Sequence, residues 1–210
     1  MPIITSIEPQ KNNKRVNIYL DGKFGFGLDL ENFVKLGLKV EQELSEKEVK
    51  EIIKQSEFQK TYDKILRFTS LRPRSEKEFR YWLKKHKVPK SIHEDLFNRL
   101  KRLDFLNDKK FAVWWVEQRL QFKFKSKREL IQELRLKGIS KDIIEDLFSE
   151  VPVDEYAVAK KLLEKKKYIW DKLEAFSARK KMSEYLLRRG FSWDAIRSVI
   201  KGIDENSENM

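Results

Sequence analysis

Cysteine is absent from this sequence, which excludes disulfides and thiolate chemistry and suits a reducing compartment. Only 7 glycines and 5 prolines interrupt 210 residues, so helices have few breakers to stop them. No apolar run approaches the roughly 20 residues that span a bilayer. Met1–Gln10 carries no basic-then-apolar leader. The expectation is a soluble, cytoplasmic, helix-rich protein with no membrane partner. Catalytic material is equally sparse. The two histidines, His86 and His93, are separated by the turn at Val88-Pro89, with no carboxylate at zincin spacing, so a structural or exposed role is expected for both. Gly25-Phe26-Gly27 lacks the Lys-Ser/Thr that a phosphate loop needs. Acidic residues are interleaved with Lys and Arg, as on solvated helix faces. These absences point to a protein with no enzymatic activity, no cofactor and no metal.

What is present is a segment written three times. Ser126–Phe148 aligns without gaps to Ser75–Phe97 and to Ala178–Ile200. Four apolar columns result: Phe79/Leu130/Met182, Leu83/Leu134/Leu186, Val88/Ile139/Phe191 and Leu96/Leu147/Val199. The first two columns are four residues apart, which stacks them on one helix face. A turn and a second short helix follow. Ser75 and Ser126 precede Glu78 and Glu129 by three residues, the capping-box spacing, and mark helix starts. Gly138 and Gly190 fall where the first helix of the hairpin must stop, whereas Lys87 takes that place in the first copy.

Each hairpin is preceded by another apolar-periodic helix, over 58–70, 108–120 and 154–166. The unit is thus three helices of about fifty residues, within the range of stacked helical repeats. Phe105, Phe111, Trp114 and Trp115 cluster in the second unit and are read as core. Ahead of the repeats, Ile3–Ile7, Arg15–Leu20 and Lys23–Leu28 are short β-prone runs, with Asp21-Gly22 as a two-residue hairpin signal. Leu30–Leu36 reads as a short helix ended by Gly37, and Ser45–Glu48 as a further capping box. The expected fold is mainly α: three tandem three-helix repeats forming an elongated, curved body, with a small three-stranded N-terminal β module. The expected boundaries are 1–50 for that module, 51–104, 105–151 and 152–203 for the repeats, and 204–210 for a flexible polar tail.

The net charge of +12 is uneven: 0 over 1–50, +9 over 51–150 and +3 over 151–210. A basic excess of this kind attracts nucleic acid or an acidic protein surface over long range. The second hairpin helices do not suit major-groove reading, because His93-Glu94-Asp95 and Asp142 to Asp146 would set carboxylates against phosphates. The cations gather in the connections between first and second helices: Arg72 and Arg74; Lys123, Lys125, Lys127 and Arg128; Lys165, Lys166, Lys167 and Lys172. Gln121-Phe122-Lys123-Phe124-Lys125 interleaves aromatics with cations, which suits a nucleic acid strand and equally a loop folding back on its helices.

Leu71 to Glu78 (LRPRSEKE), Asp108 to Ala112 with Trp115, Leu134 to Ser140 (LRLKGIS) and Leu187 to Ser192 (LRRGFS) resemble the motifs of the RecX family, the bacterial modulators of the RecA recombinase. The resemblance covers Tyr62 to Gly202, and the N-terminal module is similar to an extension found in one branch of the family. It implies a non-enzymatic regulator lying along the groove of the RecA–DNA filament, blocking its extension or favouring its disassembly, and so restraining recombination and the SOS response. Binding positions implied by the resemblance are Arg72, Arg74, Arg119, Lys123, Lys125, Lys127, Arg128, Arg188 and Arg189. The expected partners are RecA protein and its DNA filament, with direct contact to single- or double-stranded DNA left open and a monomer expected. Two alternatives stand beside it: a sequence-independent DNA- or RNA-binding protein, and a helical-repeat scaffold for another acidic partner.

Overall fold

A computed structural model describes residues 1–11 and 13–208, with side chains followed to Ile203 in the last helix. Three strands, β1 (Ile4–Pro9), β2 (Arg15–Leu20) and β3 (Lys23–Asp29), form an antiparallel sheet in the order β1-β2-β3. Asp21 and Gly22 both have positive φ, 49° and 77°, as the tight hairpin between β2 and β3 requires. Alternation places Val16 and Ile18 of β2, with Phe26 and Leu28 of β3, on the buried face, where they meet Ile4, Leu38, Leu44 and Ile52. The strands and the hairpin fall on the β-prone runs and the Asp21-Gly22 signal read from the sequence.

Helix α1 (Leu30–Leu36) starts on an Asp29 cap and ends at Gly37 in the left-handed region. Helix α2 (Glu46–Ser70) starts on the Ser45/Glu48 capping box and continues for 25 residues. It passes without interruption through residue 50, the boundary expected from composition, because the segment contains neither glycine nor proline. Its first half seals the sheet. Ser56, buried on α2, donates to the Gly27 carbonyl at 2.6 Å and accepts from Arg15 Nη2, which also reaches Gly27 O. One helix therefore serves both the β module and the first repeat.

The hairpins follow. Helices α3 (Glu76–Lys85) and α4 (His93–Arg102) form the first, α6 (Lys127–Leu136) and α7 (Lys141–Glu150) the second, and α9 (Ala175–Arg188) and α10 (Trp193–Glu208) the third. Helices α5 (Asp108–Lys123) and α8 (Glu155–Lys165) precede the second and third hairpins. Ten of the twelve residues in the four apolar columns are buried, and Val88 and Met182 are half-buried. Trp115 and Phe111 are stacked in the core of the second repeat, as expected for aromatics at helical spacing. Phe105, however, is exposed. The segment expected to be a tail is helical to Glu208, while Asn209 and Met210 lie outside the described residues.

The chain divides into two compact units: Met1–Arg72 with Trp82–Phe105, and Pro73–Tyr81 with Leu106–Met210. Helix α3 begins in the second unit and ends in the first. Its first turn belongs with the second repeat because it is bonded there, as follows.

Candidate functional site

The repeats are joined by one constellation used twice. In the first joint, Ser75 Oγ accepts the Glu78 amide at 3.3 Å and donates to the Lys137 carbonyl at the end of α6, at 2.8 Å. In the second, Ser126 Oγ accepts the Glu129 amide at 3.2 Å and donates to the Arg189 carbonyl at the end of α9, at 2.7 Å. Each serine is fully buried, so one hydroxyl satisfies an orphan amide of its own helix and an orphan carbonyl of the next repeat. The adjoining amides are treated alike. Glu76 N donates to Asp108 Oδ1 and Lys127 N to Glu155 Oε1, so an acidic residue at the start of the following repeat sits on the N-terminus of α3 or α6. Glu155 also accepts the Ser192 amide, tying the third repeat to itself and to the second.

Charge follows the same rule. Lys137 Nζ reaches Glu78 Oε1 at 2.8 Å, and Arg189 Nε lies 3.4 Å from Glu129 Oε1, an ion-pair contact without hydrogen-bond geometry. The glycines complete the joint. Gly138 and Gly190 have φ of +87° and +77°, and a Cβ on Gly138 would stand 2.7 Å from Lys77 Cβ. On Gly190 it would stand 3.3 Å from Arg128 Cδ and from Ser126 Oγ. Glycine is therefore needed twice over, for the left-handed turn and for the approach of the preceding repeat. Lys87 itself adopts φ 52°, and its turn closes with the same bond as the others: Val88 N to Leu83 O, matching Ile139 N to Leu134 O and Phe191 N to Leu186 O.

The expected binding cations divide into two groups. Arg119, Lys125 and Arg189 are committed to carboxylates. Glu133 Oε2 accepts Trp115 Nε1 at 2.8 Å and Arg119 Nε at 2.7 Å, while Lys125 Nζ lies 3.3 Å from Glu133 Oε1 and 3.2 Å from Glu129 Oε1. Arg119 and Lys137 both lie over the Trp115 ring. Lys123, Lys127, Arg128 and Arg188 are exposed. The stem of Arg128 covers Gly190, and Lys127 lies over Phe148, so the start of α6 and the end of α9 bring these cations to one joint. Arg189 Nη2 also reaches the Lys123 carbonyl at 3.5 Å. Arg72 and Arg74 are half-buried at the entry to α3. Lys165 lies over Phe124, at the end of α8.

The aromatic run between α5 and α6 also divides. Phe124 has φ 49° and is half-buried against the core of the third repeat, so it is a packing residue. Phe122 is 57% exposed beside Lys123. Sequence reasoning omitted Lys77 and Lys137 from the set. The offset that aligns the copies would have found them, since Lys77 is the counterpart of Arg128 and Lys137 of Arg189.

Burial, the largest single influence on Glu133, pushes its carboxyl up. Hydrogen bonds from Arg119 and Trp115, with the charges of Arg119 and Lys125, outweigh burial and hold it below the usual glutamate range. A lowered carboxylate contributes stability that is complete above its unfolded value and is lost as pH falls through the folded one. Glu133→Gln is therefore expected to cost roughly 1–2 kcal/mol near neutral pH and clearly less in acid below the ordinary glutamate range. Urea unfolding of both chains at the two pH values measures this. An equal cost at both would mean that the carboxylate charge contributes nothing.

His86 Nδ1 and His93 Nε2 face the carbonyls of Trp82 and Val88, which fits structural roles. Among the described residues there is no group of three or more His, Cys, Asp or Glu side chains placed to hold a metal, and no helix long and apolar enough to cross a membrane.

Comparison with known proteins matches three stretches of the chain to family models. Residues 2–45 match the model of the regulatory protein RecX N-terminal domain, 107–147 that of the RecX second three-helix domain, and 154–200 that of the RecX third three-helix domain. The regulatory protein RecX of Bacillus licheniformis is 35% identical over 215 residues, covering 100% of this chain and 80% of that protein. That of Clostridium perfringens strain SM101 is 35% identical over 211 residues and covered to 97% in both. A crystal structure of a regulatory protein RecX superposes with a TM-score of 0.70 at 28% identity, over 95% of this chain and 98% of its own. RecX from Lactobacillus salivarius superposes with a TM-score of 0.61 at 26% identity, over 70% and 97%. A β module followed by serine-jointed three-helix repeats, matched along its length by these relatives, makes this chain a member of the RecX family of regulatory proteins.

Proposed function

We propose that this chain is a non-enzymatic modulator of the RecA recombinase that binds the RecA–DNA filament along its groove and restrains its extension. The observation that carries the reading is the exposed cation group at the joint between the second and third repeats: Lys123, Lys127, Arg128 and Arg188. Their neighbours Arg119, Lys125 and Arg189 are engaged by Glu129 and Glu133, so within this set the exposed charge is carried by the four side chains named above. Membership of the RecX family supports RecA as that partner. In this reading the repeats at 51–104, 105–151 and 152–203 are the units that meet successive parts of an acidic filament, the protein acts as a monomer in the cytoplasm, and Arg72 and Arg74 contribute at the first repeat.

The test is single-strand-dependent ATP hydrolysis by RecA with substoichiometric protein. The wild-type chain lowers hydrolysis. Lys127→Glu with Arg128→Glu and Arg188→Glu raises the concentration needed for half-inhibition at least about 10-fold, since reversed charges on a contacting face cost several kcal/mol. Unchanged inhibition by the triple variant sinks this placement of the site.

One observation favours a second reading, direct binding to a nucleic acid strand: Phe122 is exposed next to Lys123, the pairing of ring and cation on which unstacked bases and phosphates are held. Fluorescence anisotropy with bare single-stranded DNA separates the two. Tight binding weakened by Phe122→Ala, with no effect on RecA, promotes the second reading.

A further inference from the structure

The first unit contains a groove that the basic face does not use. It lies between the segment after α1 and the first half of α2, with a volume of about 640 Å³, and it is open along one side. Leu38, Leu44 and Ile52, buried members of the β-module core, form its floor, and Leu36 and Phe58 add partly exposed apolar surface. Its wall is preformed. The segment after Gly37 is pinned to β1 by Ile4 N to Gln42 O at 3.0 Å and Glu41 N to Ile4 O at 2.8 Å, and to the residues before β1 by Leu44 N to Pro2 O at 3.0 Å.

The charge on its rim has the opposite sign to the chain. Glu48, Glu51 and Asp95 line it, and the one cation among its described lining residues, Lys54, is already 3.3 Å from Asp95. Glu48 is held ionised, because hydrogen bonds from the Ser45 hydroxyl and amide pull its carboxyl below the usual range. In a protein of net charge +12, an anionic rim around an apolar floor is a local exception. Nucleic acid and acidic protein surfaces are repelled by it.

We propose that this groove docks a basic amphipathic segment of a partner protein, its apolar side chains on Leu36 and Phe58 and its Lys or Arg residues on Glu51 and Glu48. The volume is in the range of sites that take several side chains. The occupant is cationic because the rim is left with two carboxylates beyond the Lys54–Asp95 pair. It is amphipathic because a purely polar cation would leave the apolar floor wet. The site concerns a partner other than the one met by the exposed cations of the second unit, and its test involves no RecA.

The probe is a fluorescent amphipathic helix of leucine and lysine, about five turns long, titrated into the full chain and followed by anisotropy. A companion peptide carries glutamate in place of lysine. Glu51→Lys and Gln55→Lys, both exposed and outside the capping box, are each expected to weaken the lysine probe about 10-fold. Lys127→Glu, on the other unit, leaves its affinity unchanged. Equal affinity of the wild-type and Glu51→Lys chains overturns the proposal, as does displacement of the lysine probe by the glutamate peptide. A dimer of the chain alone in sedimentation, lost in Glu51→Lys, also overturns it, since the occupant would then be a second copy.

Discussion

Gly138→Ala is expected to destabilise the protein by about 3 kcal/mol, seen as a fall of roughly 6–12 °C in thermal midpoint for a chain of this size. Two costs add. The left-handed backbone, φ +87°, charges any L side chain about 1–2 kcal/mol. The new methyl would then meet Lys77 Cβ at 2.7 Å and Cδ at 2.9 Å, so the first turn of α3 must move off the end of α6. Overpacking of that kind typically costs a further 1–3 kcal/mol. Gly190→Ala shares the first cost, but its closest neighbours stand at 3.3 Å and include the flexible Arg128 stem, so its loss should be about half as large. Lys87→Gly is the informative counterpart. Lys87 already sits at φ 52°, so the substitution relieves strain and should hold or raise the midpoint. If Gly138→Ala costs no more than about 1 kcal/mol, the close approach between repeats is not a constraint, and the glycine serves only its own turn.

That contrast also explains why the first copy departs from the other two. Gly138 and Gly190 each receive the start of the preceding hairpin, through Lys77 and Arg128. Lys87 belongs to the first hairpin, which has no repeat before it. A left-handed lysine suffices where no neighbour presses against the turn. At the other end of the array, Ala178 occupies the column of Ser75 and Ser126, and it lies inside α9 rather than at its start. The third copy thus lacks the hydroxyl that caps the helix and joins repeats in the first two, with Ala178 in its column.

Much of this is legible in the sequence alone. Gapless apolar columns give the hairpins, β-prone runs around Asp21-Gly22 give the strands, and capping spacing gives the starts of α2 and α6. The passage of α2 through residue 50 is also legible, since no breaker lies between Glu46 and Ser70. The partition of cations was less accessible. Lys125 with Glu129 is an i, i+4 pair and can be read along one helix. Arg119 with Glu133 joins two helices across a turn, and Arg189 with Glu129 joins two repeats. Only the fold shows which cations are already answered. Phe122 and Phe124 make the same point, since one residue of spacing separates an exposed ring from a half-buried one.

Ser126→Ala carries the second large effect, and here the physics is of hydrogen bonds rather than volume. The substitution removes a hydroxyl that is fully buried and bonded on both sides, to Glu129 N and to Arg189 O. Loss of the cap costs about 1 kcal/mol, and an inter-repeat carbonyl stripped of its partner costs a further 1–3. The expected total is about 3 kcal/mol, with Ser75→Ala close to it because its bonds to Glu78 N and Lys137 O are of the same kind. Ser140→Ala is the control. Ser140 also caps a helix, accepting Ile143 N at 3.4 Å, but it is exposed and should cost about 1 kcal/mol or less. Denaturant unfolding of the three variants compares a cap alone with a cap that is also a joint. Hydrogen exchange at the Glu129 amide adds a local reading, since faster exchange there in Ser126→Ala than in Ser140→Ala is expected if the joint opens before the repeats unfold. Equal losses in all three would mean that the bond between repeats adds nothing to the cap, and that the repeats are held by their apolar contacts and ion pairs instead.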